Sequence, residues 1–291
     1  MSRMNRWVLG ARPRTLPAAV VPVALGTAAA VGLDESVWWR AALALVVSLA
    51  LQIGVNYAND YSDGIKGTDE VRVGPTRLVA SGLAAPGAVK RAAFAAFGVA
   101  AVAGLVLAAV TSWWLLAVGA AAILAGWFYT GGPKPYGYLG LGELFVFVFF
   151  GLVATAGTTF VVAEEVTAVA WLAGCAAGCL ACALLVINNL RDIPTDRTVG
   201  KRTLAVRLGD ERTRWLYVAL LVAAALCFVG VAMVGRVGAL AGIVGLLAAI
   251  PAAKAVRGGA TGRELIPVLG ATGRAQLIAG ALAALGIALT A

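Results

Sequence analysis

Two short stretches concentrate side chains that could do chemistry: N-Y-A-N-D-Y-S-D-G-I-K-G-T-D-E, residues 56–70, and N-N-L-R-D-I-P-T-D-R-T-V-G-K-R, residues 188–202. In the first, Asn56, Asp60 and Asp63 are separated by four and three residues; in the second, Asn188, Asp192 and Asp196 are separated by four and four. On a helix such spacings stack side chains along one face, so each stretch presents an amide and two carboxylates to one point. Pro194 is expected to disturb regular helix between the last two aspartates, which is tolerated where backbone lines a cavity. The stretches lie 132 residues apart, each after an apolar run, which hints at a weak internal repeat about a shared axis. Four carboxylates converging in one pocket repel unless a cation sits between them. Mg2+ suits that position, because it takes oxygen ligands and is commonly held by one or two carboxylates plus substrate phosphates. Paired acidic clusters therefore point to Mg2+ ions gripping a diphosphate. A single D-x-x-D would read as ordinary solvated helix-end charge; two matching sets at equivalent positions argue for a site.

The elements that carry these residues are set by composition. The chain has 291 residues, 61% apolar and 13% charged, with a mean hydropathy of +0.91. Soluble domains have about 25% charged residues, so this chain belongs in a bilayer. With about 20 apolar residues needed per span, nine candidates appear: 17–31, 37–57, 92–110, 113–129, 141–162, 167–190, 215–234, 237–253 and 275–291. The net charge of +9 reflects sidedness rather than nucleic-acid binding. With the N-terminus in the cytoplasm, every Lys and Arg except Arg40 and Arg236 falls on the cytoplasmic side, including Arg3, Arg6, Arg12, Arg14 and Arg274. Asp34, Glu35, Glu164 and Glu165 fall in external turns, as the positive-inside rule allows. The expectation is an all-α polytopic membrane protein, nine helices around a central cavity with cytoplasmic cap loops. Residues 1–291 form one domain, since no polar stretch is long enough for a second, and the C-terminus lies outside. The basic N-terminus has no A-x-A cleavage site after it, so the first apolar stretch reads as a retained helix. Cys175, Cys179, Cys182 and Cys227 lie within spans, with no His to complete a zinc set, and read as packing residues.

Around the clusters, Arg77, Lys134, Lys201 and Arg202 could stabilise a departing diphosphate, although topology alone would place cations there. The loop 128–143 is dense in Gly, Pro and Tyr, so Tyr129, Tyr136 and Tyr138 could line the pocket mouth. Glu143 sits just inside a span without a nearby cation in sequence and should face the pocket or be paired. An ion-coupled transporter would also have acids near a cavity, but those acids belong near the midplane; here they cluster at one membrane face.

These residues resemble the UbiA superfamily of intramembrane prenyltransferases. The resemblance runs from A-R-P-R-T-L-P at residues 11–17 through N-x-x-N-D-x-x-D, R-L-V-A-S-G at 77–82 and N-N-L-R-D-x-x-x-D to the ninth span. The start, the cluster N-D-Y-S-D-G-I-K-G-T-D and the run Y-T-G-G-P-x-P-Y-x-Y-x-G-L-G-E look like its MenA branch, which prenylates 1,4-dihydroxy-2-naphthoate. The resemblance implies Mg2+ and diphosphate at Asn56, Asp60, Asp63, Asn188, Asp192 and Asp196, with either Asp63 or Asp69 completing the first metal shell. It implies a polyprenyl diphosphate and 1,4-dihydroxy-2-naphthoate as substrates in the cell membrane, the prenyl tail leaving sideways into lipid. Diphosphate departs with metal assistance, an allylic cation is steadied by aromatic faces, and the ring carbon bearing the carboxylate attacks, releasing CO2. Arg12, Arg14 or Lys134 would hold that carboxylate.

Overall fold

The computed structural model describes residues 5–67, 74 and 76–291 of the chain. Among them there is helix and loop but no strand. The elements in chain order are α1 (Arg6–Ala11), α2 (Pro17–Ala29), α3 (Trp39–Ile65), α4 (Pro86–Val110) and α5 (Leu115–Phe128). They continue with α6 (Gly142–Ala163), α7 (Ala168–Thr198), α8 (Leu204–Leu208), α9 (Asp210–Met233), α10 (Val237–Arg257) and α11 (Gly262–Leu289). Seven of these (α3, α4, α6, α7, α9, α10 and α11) are long and apolar enough to cross a membrane. The expected first and fourth spans form α2 and α5, of 13 and 14 residues. At 1.5 Å per residue each reaches only about 20 Å, short of the roughly 30 Å hydrocarbon core.

The last helix begins earlier than its apolar run suggests. Pro267, Gly270, Gly273 and Arg274 dilute the hydropathy there, but a capping box between Thr261 and Glu264 starts the helix thirteen residues before Ala275. Arg274, expected in a loop, is an exposed residue within α11. The expected disturbance at Pro194 is also absent: α7 runs without interruption from Ala168 to Thr198. Proline removes one backbone donor, and the turn it disturbs lies at the polar end of the helix, where other groups can satisfy the freed carbonyl.

α7 is the hub. Its apolar window is 78% buried, against 22–44% for the other long helices, so its neighbours pack around it. Its sequence explains this, because runs of small residues such as A-G-C-A-A-G-C at 173–179 let other backbones approach closely. The tightest approach is to α6, whose residues Phe147–Val153 form a π-helical turn. There a Cβ on Gly151 would stand 2.5 Å from Gly178 Cα and 2.7 Å from Gly174 O, backbone against backbone. Gly151→Val is therefore expected to cost about 1–3 kcal/mol through overpacking. It should lower the melting midpoint in detergent, and a midpoint equal to the unsubstituted protein's would contradict this packing account. π-turns often mark functional sites, and this one places Phe149, Phe150 and Val153 on a cavity wall.

Arg40 and Arg236 sit at the bundle end away from the acids. Arg40 pairs with Glu164 at 2.7 Å and donates to Val110 O at 3.0 Å, tying the far ends of α3, α4 and α6. Arg236 donates to Val31 O at 2.7 Å. The four cysteines are free thiols inside the helices.

Candidate active site

The polar end of α3 is built outward from Asn56. Its Nδ2 donates to Ala11 O at 2.8 Å and Thr15 Oγ1 at 3.0 Å, while its Oδ1 accepts from Gln52 Nε2 at 3.3 Å. Arg12 donates from Nη2 to Asn56 O at 3.2 Å. Asn56 thus fastens the N-terminal segment to α3 while bordering the cavity. One turn on, Asn59 accepts at Oδ1 from Thr130 Oγ1 at 2.8 Å and also borders the cavity. Asp63, 4% exposed, accepts from Tyr138 Oη at 2.7 Å and from Lys201 Nζ at 3.0 Å. Asp60 is the exception. It is fully buried, is not on the cavity wall, and accepts from the backbone amides of Leu78 at 2.8 Å and Val79 at 3.0 Å. Asp69 lies outside the described residues.

The uninterrupted helix α7 supplies the facing wall, with Asn188, Asn189, Asp192 and Asp196 all bordering the same cavity. Arg191, 4% exposed, grips the carboxylate of its neighbour: Nε to Asp192 Oδ1 at 2.7 Å and Nη2 to Oδ2 at 2.8 Å. Asn189 donates to Glu143 Oε1 at 2.9 Å. Glu143 is itself just behind the wall, 9% exposed, and its buried Oε2 has no hydrogen-bond partner among the described residues. Its expected pairing is therefore with an amide rather than a cation.

The cations divide into two groups. Lys201, Arg77, Arg12 and Arg14 border the cavity. Arg12 adopts φ 53, a left-handed conformation that joins α1 to the short 3-10 turn Pro13–Thr15. Lys134 and Arg202 are exposed and off the wall; Arg202 contributes its backbone N–H to Tyr138 O at 3.0 Å. Tyr138 has two cations over its ring, Lys201 Nζ at 4.7 Å and Lys66 Nζ at 5.0 Å from the centroid. Burial pulls the Lys66 ammonium below its ordinary pKa, helped by Lys201 and opposed by Asp63. Tyr129 and Tyr136 also border the cavity, and burial pushes both phenols up. Tyr136 stacks on Phe145, ring centroids 4.0 Å apart, and Phe145 continues to Phe149 at 6.2 Å.

The cavity has a volume of about 660 Å³. Acids and cations crowd one end; the other is an apolar arm bounded by Gly104 and Leu107 of α4, Gly119 of α5, and Gly157 and Val161 of α6. Among the described residues no three His, Cys, Asp or Glu side chains form a ready-made metal cage. The donors are instead split between two walls, all of them hard oxygens. That fits Mg2+, which takes one or two carboxylates and fills its shell with water and phosphate oxygens.

Asn59, Asn189 and Arg191 were not singled out from sequence. Asn59 could have been found: Asn59–Asp63 repeats the four-residue step of Asn188–Asp192 just as Asn56–Asp60 does.

A membrane-type helical bundle with paired acids and cations at the mouth of an apolar cavity is the architecture of an intramembrane enzyme acting on an amphipathic phosphate ester. The model of the UbiA prenyltransferase family matches residues 19–263, and the chain belongs to that family. It is 56% identical over 289 residues to 1,4-dihydroxy-2-naphthoate octaprenyltransferase of Mycobacterium tuberculosis, covering 97% of this chain and 98% of that one. The fold is similar to the apo structure of a UbiA homolog from Aeropyrum pernix, with a TM-score of 0.71 at 17% identity over 91% of this chain and 96% of that one. A UbiA homolog from Archaeoglobus fulgidus bound to GPP and Mg2+ superposes with a TM-score of 0.62 at 15% identity, covering 79% and 78%.

Proposed function

We propose that the protein transfers a polyprenyl group from polyprenyl diphosphate to 1,4-dihydroxy-2-naphthoate with loss of CO2, the MenA-type step of menaquinone biosynthesis. The observation that carries this reading is the two-ended cavity. Asp63, Asp192, Asp196 and Lys201 stand at its polar end and an apolar arm leads away between α4, α5 and α6, which matches a donor with a charged head and a hydrocarbon tail. The 56% identity to a 1,4-dihydroxy-2-naphthoate octaprenyltransferase supports the acceptor.

Asp63, Asp192 and Asp196, with Asn59 and Asn188, would hold Mg2+, which when bound draws electron density from the leaving oxygen. The chain's own groups do the rest. Lys201 and Arg77 offset the charge that grows on the diphosphate as the allylic C–O bond breaks. Tyr129, Tyr136 and Phe149 border the cavity and would steady the carbon that becomes positive, an interaction worth up to about 2 kcal/mol when dry. The apolar wall keeps water from capturing that carbon before the naphthoate does. Of the three candidates for the acceptor carboxylate, Arg12 and Arg14, which border the cavity, are better supported than Lys134, which is exposed and off the wall. The ring carbon bearing the carboxylate forms the new C–C bond, and the electrons of the lost CO2 restore the aromatic ring.

In this reading α2 and α5 complete nine crossings of the plasma membrane, helped by local thinning or by flanking residues. The acids and the N-terminus face the cytoplasm and the C-terminus lies outside. Acceptor choice is tested by offering equimolar 1,4-dihydroxy-2-naphthoate and 4-hydroxybenzoate and weighing the products by mass spectrometry. Prenylated naphthoquinol as the dominant product is expected; a prenylated hydroxybenzoate in its place would overturn the acceptor while keeping the class of reaction.

A further inference from the structure

We infer that Asp60, an acid in the first cluster, is not a metal ligand but a positioning residue that clasps the loop carrying Arg77 to the cavity wall. The inference rests on the prenyl-transfer reading above. Helix geometry separates the roles. At 3.6 residues per turn, Asn59 and Asp63 differ by about 40° around α3, whereas Asp60 lies about 100° from Asn59, about 60° beyond Asp63. Asn59 and Asp63 accordingly border the cavity and Asp60 does not.

What Asp60 faces instead is backbone. Its two oxygens are divided between consecutive amides, Oδ2 accepting from Leu78 N at 2.8 Å and Oδ1 from Val79 N at 3.0 Å, and the residue has no exposed surface. Taking one partner of these bonds away leaves a buried group unsatisfied. The loop is seated from the other side as well. Leu78 is fully buried, packed so closely on Gly10 of α1 that a Cβ there would come 2.6 Å from Leu78 Cδ1, and Val79 presses on Gly64 of α3. Arg77, the residue immediately before this clasp, is 9% exposed and borders the cavity. Asp60 thereby fixes the backbone from which Arg77 reaches the diphosphate end.

The test uses equilibrium binding on the full-length protein in detergent, so it does not depend on turnover. Mn2+ binding is followed by electron paramagnetic resonance and inorganic diphosphate binding by calorimetry in Asp60→Asn, Asp63→Asn, Arg77→Ala and the Asp60→Asn/Arg77→Ala double variant. Asp60→Asn is expected to bind Mn2+ like the unsubstituted protein, while Asp63→Asn loses about tenfold or more, the scale of a charged ligand contact. Asp60→Asn should weaken diphosphate by about tenfold, and that loss should vanish when Arg77 is already Ala, because one residue acts through the other. An Mn2+ loss in Asp60→Asn equal to that of Asp63→Asn, or additive effects of Asp60→Asn and Arg77→Ala, would overturn the proposal. Should Asp60→Asn fail to fold, Asp60→Glu serves: its charge can still ligate a metal, but the extra methylene spoils the fit to both amides, so diphosphate binding weakens with Mn2+ binding intact. Unsubstituted protein that binds Mn2+ and diphosphate but prenylates no aromatic acceptor would remove the functional reading and leave the clasp standing.

Discussion

Asp192→Asn is expected to reduce prenyl transfer by about a thousandfold or more, the scale on which removing preorganised charge stabilisation acts. The substitution keeps the shape of the side chain and deletes its charge, so the cavity wall loses a hard anionic donor. It also leaves the Arg191 guanidinium, now 4% exposed and bound at both Nε and Nη2 to that carboxylate, without its counter-charge. Breaking a buried pair from one side costs about 3–5 kcal/mol, so Asp192→Asn should also melt earlier. The two effects separate in the double variant Asp192→Asn/Arg191→Gln. Removing both charges should recover much of the melting midpoint and none of the activity. Recovery of activity in the double variant would mean that Asp192 serves only to balance Arg191.

Lys201→Gln carries the second large effect, about a hundredfold in kcat. Lys201 is 8% exposed, bonds Asp63 at 3.0 Å, and lies over the Tyr138 ring, whose hydroxyl donates to the same Asp63 oxygen. One cation therefore holds an acid, a ring and the approach to the cavity together. Gln retains a donor but not the charge that meets a leaving diphosphate. Lys201→Arg should recover part of the rate, since it keeps the charge while changing its shape. Equal rates in Lys201→Gln and Lys201→Arg would show that hydrogen bonding rather than charge is what this position supplies.

Much of this was legible in the chain. Apolar windows located every long helix, because burial in lipid demands a nearly continuous apolar run. Lys and Arg sidedness put Arg40 and Arg236 together at the end away from the acids, and both anchor turns there. What local sequence could not show was set by partners distant along the chain. Asp60 and Asp63 have the same side chain, but the amides of Leu78 and Val79 take up the one and Tyr138 and Lys201 the other. Periodicity pointed to Asn56, which borders the cavity, and passed over Asn59, one turn before Asp63 and on the same wall, since both offsets pass as one-sided. Pro194 was read by its local cost, yet α7 absorbs it within an otherwise regular helix. Lys134 and Arg202 shared with Lys201 the right charge at the right depth, and loop geometry turned only Lys201 inward.

The central claim, that the paired acids of α3 and α7 run an Mg2+-dependent, decarboxylating prenyl transfer, is tested most directly by one assay. Purified protein in detergent is incubated with a polyprenyl diphosphate and carboxyl-labelled 1,4-dihydroxy-2-naphthoate, and prenylated product and labelled CO2 are counted together, with Mg2+ and with chelator. Equal amounts of both, lost on chelation, recovered on adding Mg2+ and lost in Asp63→Asn, are the expected result. Product formation that persists in chelator, or that survives Asp63→Asn unchanged, would contradict the account.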